Sequence, residues 1–192
     1  MELSDTARLL VRPFRTYEEL AAAAPAPGRA LAGAARLLLV LATLVAVTST
    51  GRFAPVELVT AVPSFAYVLG VQAIAIAMVV RLLAPQRVRV MDAYGLYLAG
   101  HGPWLLVLLA ICVECIVLEL PGGTLLSVGP WLFLGAFVWG GFLTYACFRA
   151  GLGMPRFRAW VAMGLFYVVM TTSVLGYFVV AGQLLPILPS AR

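Results

Sequence analysis

The chain of 192 residues has no lysine, one histidine, three cysteines and only 11% charged residues. A haem held by two histidines of this chain is therefore excluded, and no Walker loop, Ser-His-Asp set, zincin motif or dinucleotide fingerprint occurs in the sequence. So little charge also excludes an ordinary soluble fold, because the polar residues are too few to cover the apolar surface of a domain of this size. We expect no enzymatic activity and no cofactor.

Hydrophobic residues fill the chain instead, at 63% of all positions and with a mean hydropathy of +1.02. This composition is typical of a polytopic membrane protein, whose outer surface faces lipid. The first apolar run begins at Ala30, behind a polar segment and without a signal-peptidase pattern, so we expect it to remain as a membrane span. All basic residues are arginine, and this bias, with abundant Ala, Leu, Gly and Pro, favours a bacterial protein of the inner membrane.

Five apolar runs are each long enough for a membrane-spanning helix, at about 1.5 Å of rise per residue across a hydrocarbon layer of about 30 Å. The runs cover residues 30–47, 63–83, 104–120, 129–148 and 159–182. The sequence predicts a turn at residues 48–51. At residues 55–62 it predicts either a half-turn on the outer surface or the beginning of the second span. The sequence therefore predicts an all-helical bundle of five transmembrane helices at 29–192, preceded by a cytoplasmic amphipathic segment at 1–28.

The arginines are divided unequally between the two ends of these spans. Eleven lie on the side of the N-terminus: Arg8, Arg12, Arg15, Arg29, Arg36, Arg81, Arg87, Arg89, Arg149, Arg156 and Arg158. Only Arg52 and Arg192 lie on the opposite side, where Glu119 adds an acid. Because positive loops stay in the cytoplasm, this asymmetry predicts a cytoplasmic N-terminus and a periplasmic C-terminus.

The N-terminal segment interleaves arginines with apolar side chains. Arg8, Arg12 and Arg15 alternate with Leu, Val, Phe and Tyr residues, which predicts two short amphipathic helices with the apolar side down on anionic headgroups. Thr16 with Glu19 matches a capping box at the start of the second helix. The alternative role for this segment is a docking site for a soluble partner, and we favour the membrane surface because such anchors commonly precede a first span.

Residues 92–120 hold the only histidine, two cysteines and three acids, and they are too long for one straight crossing. Gly100, His101, Gly102 and Pro103 break this stretch into a short helix, capped by Asp92, and the third span. His101 lies close in sequence to Tyr97 and Trp104, and these three residues are candidates for a small-molecule or quinone-head pocket. The alternative is a plain helix break at the cytoplasmic interface, where His, Tyr and Trp are common.

Two further groups in the third span are candidates for chemistry. Glu114 lies about 7.5 Å of helix rise deeper than Glu119, and an ionisable group at such depth is a functional candidate unless it is neutral or hydrogen-bonded to a neighbouring span. Cys112 and Cys115 form a C-x-x-C pair deep in an apolar helix. A zinc site needs four ligands, and His101 is the only imidazole in the chain. We therefore interpret the two cysteines as packing residues and expect no metal.

Small residues recur at helical spacing on two spans. Ala136, Gly140 and Thr144 form a ladder on the fourth span, and Ala66 and Gly70 form a shorter one on the second. Such ladders let helix backbones approach closely, either within the bundle or against a membrane-protein partner or a second copy. The formal charge of +5 is accounted for by the topology, so nucleic acid is not an expected partner.

Three short motifs resemble those of one known family. Residues 9–16 read LLVRPFRT ahead of the spans, Ala93-Tyr94 with Pro103 opens the third span, and the fourth loop contains FRAGL at 148–152 and RFRA at 156–159. This pattern resembles the Ypt-interacting protein (Yip) family. The resemblance implies five spans, a cytoplasmic N-terminus and a non-enzymatic role.

Together these features predict a membrane protein that acts by association with proteins or lipids, as a Yip-like membrane organiser or as an accessory subunit of a larger complex. The alternative is a small transporter or channel that uses the broken third span and Glu114. The alternative is disfavoured because a permeation path needs a polar lining, and few buried polar residues are available.

Overall fold

The computed structural model describes residues 3–23, 28–50, 55–85, 88–117 and 122–184. Every regular element in these ranges is helical, and they contain no strand, so the all-helical fold class is confirmed. The elements are α1 Leu3–Val11, α2 Pro13–Ala22, α3 Arg29–Thr50, α4 Pro55–Leu83, α5 Val90–Ala99, α6 Gly102–Val117, α7 Gly122–Ala146, a π-helical turn Cys147–Gly151 and α8 Arg156–Leu184.

Each predicted span overlaps one of the long helices, which mostly extend beyond the predicted bounds. α4 begins at Pro55, so 55–62 is the beginning of the second span's helix, and 48–50 belong to α3 rather than to a turn. Within the described residues, two helices are long and apolar enough to cross a membrane, at 66–83 and 156–177, and 30–44 is a shorter apolar helix. The other predicted spans and the five-span count stay a prediction.

The five longer helices form a closed ring. α3 packs most extensively against α4 and then against α6, α4 packs against α8, and α7 makes smaller contacts with both α8 and α6. α5 packs against α3 and α4, and its residues 93–99 are all buried. Gly33 permits this packing, because a Cβ at this position would lie 3.0 Å from the Leu98 Cβ.

The N-terminal helices pack on the end of the ring where α7 passes into α8. α2 contacts the π-helical turn, α5 and α7, and Leu9 and Tyr17 are fully buried. Phe14 stacks edge to face with Phe142 and Tyr145, at 5.6 and 6.1 Å between ring centroids. Leu9 and Tyr17 therefore face the protein's own core, and Phe14 packs partly against it. Contact of the rest of this segment with anionic headgroups stays a prediction.

Two predicted helix caps are also wrong. α2 begins three residues before Thr16, because Pro13 takes the first helical position, where its missing N–H costs nothing. Thr16 lies inside the helix, and its Oγ1 donates a hydrogen bond to the Arg12 carbonyl oxygen at 2.9 Å. α5 begins at Val90, with Arg89 at the N-cap, so Asp92 lies in the first turn, where its charge still suits the helix dipole.

Candidate functional site

A cavity of about 450 Å³ lies inside the ring, a volume within the range of small-molecule sites. Its walls are mostly apolar. Phe137 on α7 and Leu175 on α8 line the cavity and are both more than half exposed, and the cavity is partly open rather than enclosed. The polar side chains that line it are Tyr17, Gln72, Tyr97, His101, Trp104, Thr144, Tyr167 and Thr171.

The structure brings the predicted trio of Tyr97, His101 and Trp104 together at this cavity. The helix breaks where the sequence predicts it, between Ala99 at the end of α5 and Gly102 at the start of α6. The Tyr97 ring packs edge to face on the His101 ring, with 4.8 Å between centroids. Because the helix breaks here, the His101 imidazole and the Trp104 indole both line the cavity wall. The side chain of Glu114 lies outside the described part of the structure.

Tyr17 explains why glycine occupies the break. A Cβ at Gly100 would collide with the Tyr17 hydroxyl, and a Cβ at Gly151 would lie 3.5 Å from the Tyr17 Cδ1. Tyr17 therefore reaches from α2 into a slot between two glycines and forms part of the cavity lining. Burial raises the pKa of Tyr17 well above its ordinary value, and the nearby Cys147 and Tyr97 raise it further, so the phenol stays neutral.

His101 is held by two hydrogen bonds that fix its tautomer. Its Nδ1 donates to the Tyr97 carbonyl oxygen at 3.3 Å, which requires the proton on Nδ1 because a carbonyl only accepts. The Gln72 amide nitrogen lies 3.4 Å from the His101 Nε2 and donates to it. Both contacts suit a neutral imidazole, so the cavity presents no cation at this position.

Gln72 is the residue that the sequence reasoning missed. Its side chain is only 6% exposed, and its Oε1 has no hydrogen-bond partner among the described residues. Gln72 belongs to the cavity lining and its amide nitrogen is held by His101, while the Oε1 itself is buried with almost no accessible surface. The available signal was a lone amide in the middle of an apolar span, since buried polar groups there are costly and tend to be functional.

The two small-residue ladders face opposite ways. Gly140 and Thr144 line the cavity, and a Cβ at Gly140 would lie 2.7 Å from the Trp104 Nε1. Ala136 is half-buried next to them on α7. Ala66 and Gly70 on α4 are exposed, and a Cβ at Gly70 would meet nothing within 4 Å. Of the two ladders, only the one on α4 is therefore free to contact another molecule.

The predicted arginine surface is exposed at the end of the bundle that α2 covers. Arg8, Arg12 and Arg15 surround a small cavity of about 130 Å³ together with Glu19. Glu19 lies 3.5 Å from Arg8 and 3.0 Å from Arg15. The single acid therefore leaves excess positive charge on this surface, and its contact with anionic headgroups stays a prediction.

Among the described residues, no group of three or more His, Cys, Asp and Glu side chains converges on a possible metal position. Cys112 and Cys147 are both buried cysteines. The side chain of Cys115 lies outside the described part of the structure.

Comparisons with protein-family models, with curated proteins and with solved structures found no match for this chain. The resemblance to the Yip family therefore stays a prediction, and the functional argument rests on the cavity itself.

Proposed function

We propose that the protein is an integral membrane protein of five spans that holds an amphipathic, lipid-like molecule in its central cavity. The observation that supports this proposal is the cavity of about 450 Å³. Its neutral polar groups surround His101 and Gln72, and the rest of its walls are apolar. A molecule with a polar head and a hydrocarbon tail matches this arrangement, because the tail can follow the apolar walls past the exposed Phe137 and Leu175.

The outer faces of the helices support the membrane setting. Only 17% of the apolar segment 156–177 is buried inside the structure, whereas the core helix of a soluble protein is mostly buried. Large apolar side chains are exposed along α3, α4, α7 and α8, among them Leu39, Ile74, Val138, Val168 and Val179. A surface of this kind needs lipid or another apolar cover.

A second part of the proposal concerns association with proteins. The exposed face around Ala66 and Gly70 offers close backbone approach to a membrane-protein partner or a second copy. A protein that holds a lipid and contacts a partner in this way would act as a Yip-like membrane organiser or as an accessory subunit. Ion transport is less well supported, since the described lining residues include no acid, lysine or arginine.

Native mass spectrometry tests the lipid-binding proposal. We expect the wild-type chain, purified from native membranes in mild detergent, to carry one lipid-like molecule that solvent extraction releases. A chain that carries no such molecule, and that takes none up from added lipid, would contradict the proposal.

Single-cysteine labelling tests the proposed orientation, in a background without Cys112, Cys115 and Cys147. An impermeant reagent added to intact cells should label a cysteine at position 122 or 192. It should not label one at 87 or 156, because the arginine-rich loops stay in the cytoplasm. Labelling at position 87 from outside would contradict the five-span topology.

A further inference from the structure

A second cavity, the arginine cleft, lies where α2 meets the start of α8. Its volume is about 420 Å³, and it is partly open to the outside. α2 supplies Phe14 and Glu18 to its lining, the end of α7 supplies Tyr145, the π-helical turn supplies Arg149, and α8 supplies its first residue, Arg156. Charged side chains of both signs therefore line this cleft, whereas the described lining of the central cavity contains none.

The two arginines of the arginine cleft are available to a ligand. Arg149 is half-buried, and its Nη1 donates a hydrogen bond to the Met154 carbonyl oxygen at 2.8 Å, which holds the guanidinium in place. Other N–H groups of the same planar fork can still donate. Arg156 is exposed, and within the described residues neither arginine forms an ion pair with an acid. A π-helical turn carries Arg149, and such turns are frequent at functional sites.

The position of the cleft along α8 points to lipid headgroups. The segment 156–177, which is long and apolar enough to cross a membrane, begins at Arg156 itself. Phe157 and Trp160 follow directly and are 79% and 57% exposed. The Trp160 ring also packs on Tyr145 of the cleft, with 4.8 Å between centroids. Arginines and exposed aromatic rings at the end of an apolar segment are typical of the depth at which phospholipid headgroups lie.

The charges of the cleft match a headgroup that carries both signs. Two guanidinium groups suit a phosphate, because each offers paired N–H donors to its oxygens. Glu18 is exposed and adds a carboxylate to the same lining, which attracts an ammonium group and repels a second negative group. The phosphate and the ammonium group of a zwitterionic phospholipid therefore complement all three charged side chains.

We propose that the arginine cleft binds the head of a zwitterionic phospholipid, with Arg149 and Arg156 at the phosphate and Glu18 at the ammonium group. This inference rests on the membrane setting of the proposed function. It adds a second site, because none of these three residues lines the central cavity.

Native mass spectrometry of the full-length protein measures the preference for the headgroup. Delipidated protein in mild detergent is offered equal amounts of phosphatidylethanolamine and phosphatidylglycerol with the same acyl chains, which differ in mass. We expect the wild type to retain phosphatidylethanolamine about two- to fivefold over phosphatidylglycerol, the range for one exposed ion pair. Equal retention, or a preference for phosphatidylglycerol, would overturn the proposal.

Exposed charges of the cleft can be removed without disturbing the core. Glu18→Gln should lower the ratio of the two phospholipids to about one, because the carboxylate distinguishes the heads. Glu19→Gln is its control, since Glu19 is the next acid of α2 and lies outside the cleft. Arg156→Gln should weaken retention of both phospholipids about two- to fivefold. Arg158→Gln, on the opposite side of α8, should change neither.

A soluble form of the head tests the source of the ligand. O-phosphoethanolamine carries the phosphate and the ammonium group without a hydrocarbon tail, and we expect that an equal concentration of it displaces no phospholipid. Displacement at that concentration would overturn the lipid source. An unchanged ratio in Glu18→Gln, or unchanged retention in Arg156→Gln, would overturn the assignment to these side chains.

Failure of this proposal is distinguishable from failure of the proposed function. A lipid-like molecule in the central cavity should stay bound in Arg156→Gln, because Arg156 does not line that cavity. Loss of the headgroup preference with that molecule still bound would overturn the headgroup proposal alone. A chain that binds phosphatidylethanolamine in a Glu18-dependent way, and carries no second molecule, would overturn the proposed function and support the arginine cleft.

Discussion

Replacing Tyr17 with alanine is expected to release the N-terminal helices from the bundle. Tyr17 is 1% exposed and lies in the slot between Gly100 and Gly151. Removing a fully buried aromatic side chain costs about 3–5 kcal/mol, which corresponds to an increase of about a hundredfold or more in the undocked population. The loss should fall on the docking of α1 and α2, because the ring of long helices has its own contacts.

Limited trypsin digestion measures this release, since cleavage follows the population of the open form when opening is fast. The exposed arginines at positions 8, 12 and 15 provide the cleavage sites in α1 and α2. We expect Tyr17→Ala to be cut there much faster than the wild type. Val11→Ala is the control, because Val11 is 76% exposed and contributes little to docking. Equal cleavage of Tyr17→Ala and the wild type would show that other contacts hold these helices.

The amphipathic pattern at 1–28 shows how far sequence reasoning reaches in this chain. Alternation of arginine with apolar residues predicts short helices, and α1 and α2 are present. The same apolar stripe suits a lipid surface or a protein surface, so the pattern does not identify what covers Leu9 and Tyr17. Tertiary packing decides that question, through glycines at positions 100 and 151, far away in the sequence.

The residues of the cavity could also be predicted only in part from the sequence. Tyr97, His101 and Trp104 could be grouped from the sequence because they surround one helix break within eight residues. Gln72 could not, since its contact with His101 spans 29 residues and depends on how α4 packs beside α5. Composition and hydropathy predict the helical class because they indicate which medium, lipid or water, surrounds the outer surface of the protein. The pairing of individual polar groups inside the ring depends on the arrangement of the helices.

Replacing Gly140 with leucine is expected to abolish lipid retention. The first added carbon would lie 2.7 Å from the Trp104 Nε1, so the indole must shift, and the rest of the leucine side chain enters the cavity. Overpacking of this kind costs about 1–3 kcal/mol even where a ligand is absent, and it removes the volume that the ligand occupies. We expect at least a tenfold loss of bound lipid, about 1.4 kcal/mol, in native mass spectrometry.

Gly70→Leu is the matched control, because both positions are glycines inside long apolar helices and only Gly70 has open space beside it. This variant should keep its lipid and its monomer stability. If a partner or a second copy contacts the small-residue face of α4, Gly70→Leu should instead abolish that complex on size-exclusion chromatography, while Gly140→Leu leaves it intact. Wild-type lipid retention by Gly140→Leu would contradict the placement of the ligand in the central cavity. Loss of the complex in Gly140→Leu but not in Gly70→Leu would show that the ladder on α7, rather than the one on α4, forms the external interface.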